Sequence, residues 1–145
     1  MRHIVITSIY PPSKAIEGFA SLEGCNIVVA GDLKSPQDWK HPNCTFLSAK
    51  EQKQLPFRIV KKLPWNHYCR KMLGYLHAIQ NGATEIMDTD DDNIPHSGHD
   101  FPQTKGTFAI TKPNLGFVNV YHRYTTEPIW PRGLPLDLIA APREA

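Results

Sequence analysis

The segment EIMDTDDDNIP, residues 85–95, sets Asp88, Asp90, Asp91 and Asp92 beside Asn93 directly after a short apolar run. Neighbouring carboxylates repel one another unless water screens them or a cation binds between them. In an extended chain residues i and i+2 face the same side, so Asp88, Asp90 and Asp92 align while Asp91 faces away. As strand gives way to turn, two of the aligned carboxylates can converge on one hard divalent ion. Magnesium takes one or two carboxylates and completes its octahedron with phosphate oxygens and water. A metal held in that way neutralises a diphosphate and stabilises it as a leaving group. Short aspartate runs also occur as plain solvated turns. The position of this one, closing an apolar strand, favours the metal.

The elements that must carry the cluster can be read along the chain. HIVITSI (residues 3–9) is continuously apolar and β-branched, the pattern of a strand covered on both faces. NIVVAGD (26–32) and CTFLS (44–48) repeat it, and TEIMD (84–88) is the fourth strand. Between the first two lies a short helix that Gly24 stops. Ser48 and Glu51 form a capping box that opens AKEQKQL. The longest helix is read in NHYCRKMLGYLHAIQNGA (66–83), with Asn66 as its cap and an apolar stripe of Tyr68, Met72, Tyr75, Leu76 and Ile79. Gly74 is costly inside a helix unless it permits close packing. TFAI (107–110) and FVNVY (117–121) are weaker strand candidates.

Alternating strands and helices imply an α/β fold, a Rossmann-like and mostly parallel sheet flanked by helices. Ligands bind such sheets outside the carboxyl ends of the strands. Thr7, Ser8, Gly31, Asp32 and the acidic run all fall at such ends.

Composition bounds the alternatives. With 145 residues, 41% hydrophobic and 21% charged, the chain suits one soluble domain with a real core. A net charge of +2 argues for neither a nucleic-acid nor a membrane partner. The apolar run in MRHIVITSIY is too short for a signal core or a membrane span. Cys25, Cys44 and Cys69 lack close spacing and read as reduced thiols. The expected location is cytoplasmic for the chain as given, with a membrane-anchored longer form outside what it displays.

Three metal-bound motifs compete for the cluster. A calcium loop starting at Asp88 would need glycine at Asn93 and glutamate at His99, and is excluded. A haloacid-dehalogenase phosphatase carries its Asp-x-Asp after the first strand, trailed by Gly-Thr; here the pair follows the fourth and is trailed by Asp-Asp. The Asp-x-Asp of nucleotide-sugar transferases follows several βα units and fits.

VITSIYPPS, VVAGDLKSP, PNCTFLSAKEQ, LPWNHYCRKMLGYLHAIQNGA, IMDTDDDN and IWPRGLPL, in that order, resemble the STELLO-type glycosyltransferase-like proteins, which are similar to GT-A-fold enzymes. The resemblance implies that residues 1–145 form a single GT-A-like nucleotide-sugar-binding domain, shortened on its C-terminal side. It implies a nucleoside-diphosphate sugar donor, a UDP-sugar favoured, with Mn2+ or Mg2+ as cofactor. By the same resemblance Thr7 and Ser8 would lie near the nucleoside and Asp32 would accept from base or ribose. Asp88 would face the ribose, and Asp90 with Asp92 would hold the metal. Arg70 and Lys71 would offer charge to the phosphates, while Trp130 and Arg132 would contact sugar or acceptor. His96 and His99 read as loop histidines. The family departs from this chain after the acidic run, where GT-A enzymes carry an acceptor half and roughly fifty residues remain here. No side chain is assigned as general base, which leaves inverting and retaining courses, and the acceptor, open. A non-catalytic nucleotide-sugar-binding or partner-binding module is the alternative function, a phosphohydrolase the third.

Overall fold

The computed structural model describes residues 1–110 and 116–139. They divide into two compact units, Met1–Pro102 and Gln103–Ala145. The first contains four strands, β1 (Arg2–Thr7), β2 (Cys25–Ala30), β3 (Cys44–Leu47) and β4 (Glu85–Asp88). They form one sheet in the order β3-β2-β1-β4, every pair parallel. The fold class is therefore α/β and Rossmann-like, as the alternating pattern predicts.

Register explains why the central strands are apolar throughout. Ile4 pairs with Ile27 and Ile6 with Val29, and these point to one face. Ile16, Phe19 and Ala20 of helix α1 (Lys14–Ala20) and the Trp39 ring cover that face. Val5 pairs with Val28 and points to the other, where Leu47 and Ala78 join them. Helix α3 (Lys71–Gln80) packs there against β1 and β2. Ile4, Val5, Ile6 and Val29 are completely buried, each contributing about 1.5–3 kcal/mol relative to exposure.

Capping follows the sequence closely at two places. Ser13 caps α1 by accepting from the Ile16 amide. The Ser48–Glu51 capping box is formed at the start of α2 (Ala49–Gln52), although that helix ends sooner than the AKEQKQL reading expected. Gly74 has the predicted role, since a Cβ there would come within 2.6 Å of Val5 Cγ1.

Three expectations are corrected. The long helix starts at Lys71, after a 3-10 turn over Tyr68–Arg70 capped by the His67 ring, and Asn66 stands outside it at φ 54°. Its buried face is Lys71, Leu73, Gly74 and Ala78, whereas Tyr68, Met72 and Ile79 of the expected stripe are exposed. Close approach to the sheet requires small residues at the contact, so Gly74 and Ala78, spaced i, i+4, define the face instead of the larger side chains. TFAI is irregular, and FVNVY runs into a 3-10 turn at Val120–Arg123.

In the second unit Trp130 packs edge-on to Phe117 with ring centroids 5.6 Å apart, and Asn119 donates to the Ile129 carbonyl. Among the described residues no helix is long and apolar enough to cross a membrane.

Candidate functional site

Parallel pairing brings the carboxyl ends of all four strands to one edge of the sheet. β2 and β3 extend from β1 to one side and β4 lies on the other, so the order reverses between β1 and β4. A crevice at such a reversal is the usual ligand position in open α/β sheets. A cleft of about 270 Å³ lies at this edge, lined by Thr7, Ser8, Ile9, Tyr10, Asp32, Lys34, Asn66, His67, Tyr68 and Asp91.

The cleft floor is built from strand ends. Thr7 Oγ1 donates to the Ala30 carbonyl at 2.9 Å, locking the end of β1 to β2. Ser8 is 3% exposed; its Oγ donates to Asp91 Oδ2 and accepts from the Tyr10 amide. Ser35 Oγ donates to the Ser8 carbonyl and accepts from the Asp32 amide, both at 2.8 Å.

Asp32 organises the opposite wall. Its Oδ1 accepts from the amides of Leu33 and Asn66 at 2.7 and 2.9 Å, and Oδ2 from that of His67 at 3.1 Å. These bonds hold Asn66 in its left-handed conformation, which asparagine tolerates better than most residues. A carboxylate has about four acceptor positions, so three amides leave little capacity for a ligand. The exposed Tyr68 ring stacks on His67 with centroids 4.6 Å apart, and the Tyr10 ring is also exposed.

The acidic run departs from strict alternation because the strand ends at Asp88 and the chain then turns. Asp91, expected to face away from the aligned set, lines the cleft. Ser13 Oγ donates to its carbonyl, tying the turn to α1. Asp88 and Asp90 do converge, but on Lys71. Its Nζ lies 2.7 Å from Asp88 Oδ1, 2.8 Å from Asp90 Oδ1 and 2.9 Å from the Thr89 carbonyl. Burial alone would lower the Lys71 pKa; hydrogen bonds and charge from both aspartates outweigh it and raise it. The Tyr75 hydroxyl is pushed up to about 12, first by burial and then by Asp88. Asp92 is exposed.

Arg70 is not directed to the cleft. It is completely buried, its Nε donating to Gln52 Oε1 and its Nη1 to the Val60 and Leu63 carbonyls, with the guanidinium 3.7 Å over the Trp65 ring. Gln52 in turn donates to the carbonyls of Gly31 and Leu47, joining the ends of β2 and β3. The expectation that Arg70 offers charge to phosphates is therefore corrected: its hydrogen bonds serve the fold. Trp130, with Nε1 buried and unpaired among the described residues, and exposed Arg132 belong to the second unit.

Among the described residues no three His, Cys, Asp or Glu side chains cluster as a metal site. The donor chemistry around Lys71 nevertheless fits a hard cation, because two carboxylate oxygens and a carbonyl already surround one positive centre.

No protein-family profile matches the chain. Two proteins of Arabidopsis thaliana do. "Probable glycosyltransferase STELLO2" is 32% identical across 92% of this chain, and "Probable glycosyltransferase STELLO1" is 31% identical across the same share. The chain is homologous to the STELLO glycosyltransferase-like proteins. It spans 19% of the length of each.

Several residues of this cleft escape a reading by sequence. The two-residue period of an extended chain turns Asp91 away from the aligned carboxylates. Lys34, Asn66 and His67 lie on loops whose approach to Asp32 spans more than thirty positions for the latter pair. The one available signal was Asn66 itself, since asparagine favours turns and left-handed backbone as well as helix caps.

Proposed function

We propose that this edge of the sheet binds the nucleoside diphosphate of a sugar donor, a UDP-sugar favoured, and that the chain serves glycosyl transfer as a donor-binding part. The observation that carries the reading is the meeting of Thr7, Ser8, Asp32 and Asp91 in one cleft at the strand-order reversal. Homology to proteins named as glycosyltransferases supports it.

In this reading the exposed rings of Tyr10 and Tyr68 offer faces for a base, and Asp32 keeps the loop bearing Tyr68 in position. Any acceptor position left on Asp32 would take a ribose hydroxyl. Lys34 is the cation of the cleft lining and would pair with phosphate. Asp88 and Asp90, with Asp92 nearby in sequence, would hold Mn2+ or Mg2+. When bound, that ion supplies positive charge to the departing diphosphate. Trp130 and Arg132 of the second unit would contact sugar or acceptor.

Calorimetric titration of the chain with UDP and GDP, with and without Mn2+, tests the reading. Expected is Mn2+-dependent UDP binding that Asp90→Asn loses. A folded chain that binds neither nucleotide would overturn it. Binding without turnover of any UDP-sugar would favour the non-catalytic module instead.

A further inference from the structure

We propose that Lys71 is a resident counter-cation of the acidic turn, and that a divalent metal loads only by displacing its ammonium. The inference rests on the metal reading above and deepens it.

Lys71 sits in the first turn of α3, on the face packed against the sheet, and only 9% of it is exposed. Its three ammonium protons meet three oxygens, from Asp88, Thr89 and Asp90, at 2.7–2.9 Å. An ammonium carries three donors and no acceptor, so its bonding capacity is filled there. The two carboxylates are more than half exposed, at 59% and 65%, while the lysine side chain is 11% exposed. The charge that offsets them thus comes from the protein interior, while the carboxylates themselves stay open to solvent.

That arrangement eases the repulsion between Asp88 and Asp90 without an added ion. It also sets a condition on any metal. Mg2+ or Mn2+ sharing Asp88 Oδ1 and Asp90 Oδ1 would stand within a few ångströms of an ammonium, where like charges repel strongly in a partly desolvated site. The ammonium must leave before both oxygens can be shared. Lys71 therefore weakens metal binding, acting by competition and taking no part in coordination.

The test is Mn2+ binding to the full 145-residue chain, read from the magnetic-resonance signal of free Mn2+. Wild type, Lys71→Met, Lys71→Gln and Lys71→Met combined with Asp90→Asn are compared. Expected is at least tenfold tighter binding by the folded Met or Gln variant, abolished when Asp90 is also replaced. Mn2+ binding by wild type that is unchanged or weakened in both single variants would overturn the inference alone. Absence of Mn2+ binding in every variant at millimolar ion would overturn it together with the metal reading. A measurement on wild type covers the case in which the variants fail to fold. The Lys71 ammonium resonance, observed in 15N-labelled protein, should shift or vanish as Mg2+ saturates the site; saturation with the resonance unmoved would overturn the inference.

Discussion

Asp32 carries more of the cleft than any other side chain. It is 6% exposed and receives the amides of Leu33, Asn66 and His67. Hydrogen bonds to a charged acceptor contribute about 1.5–3 kcal/mol each. Asp32→Asn keeps the shape but turns one acceptor into a donor facing amides. We expect a loss of about 2–4 kcal/mol in urea unfolding, with faster amide exchange at Asn66 and His67. Unchanged exchange at those two amides would show that other contacts hold the loop. Cys44 illustrates the opposite use of burial, which pushes its thiol up to about 11 and leaves it a packing residue.

At the scale of elements, helix α3 is set by how closely it approaches β1. Gly74→Ala gains up to about 1 kcal/mol of helix propensity, but its methyl would meet Val5 Cγ1 at 2.6 Å. Overpacking costs about 1–3 kcal/mol, so the clash wins and the urea midpoint should fall. A midpoint that rises would mean the helix can shift outward freely. The same helix carries His77, whose pKa is lowered from 6.5 by burial and then by His3. A lowered folded-state value means that the unfolded chain binds the proton more readily. The contribution of His77 is complete above about pH 6.5 and declines as the pH falls through its lowered folded value. Thermal stability should thus drop on acidification below pH 6.5, and His77→Gln should flatten that part of the profile. An identical profile in the variant would assign the drop to other groups.

For the whole molecule, all four strands, helices α1 to α3 and the cleft lining lie within Met1–Pro102. A fragment ending at Pro102 should therefore unfold cooperatively and retain whatever UDP affinity the full chain has. A fragment without a cooperative transition, judged by calorimetry, would mean that the first unit needs residues beyond 102. This unit is the part for which the α/β reading was legible.

Sequence by itself determined the features that contiguous residues encode. The β-branched runs specify strands buried on two faces, Ser48 and Glu51 specify a capping box, and Gly74 specifies a close contact. Each depends on spacing within a few residues, so local patterns suffice. The parallel sheet followed from the alternation of strands with helices, and with it the edge where Thr7, Ser8, Asp32 and the acidic run would meet. Tertiary structure decided which side chains meet at that edge and which partners they choose. Arg70 and Lys71 are adjacent and alike in charge, yet one joins Gln52 in the core and the other joins Asp88 and Asp90. Asp91 turns into the cleft because the chain leaves the extended conformation after Asp88. These outcomes depend on the rotation of α3 against the sheet and on the path of a turn, both set by contacts between residues distant in the chain.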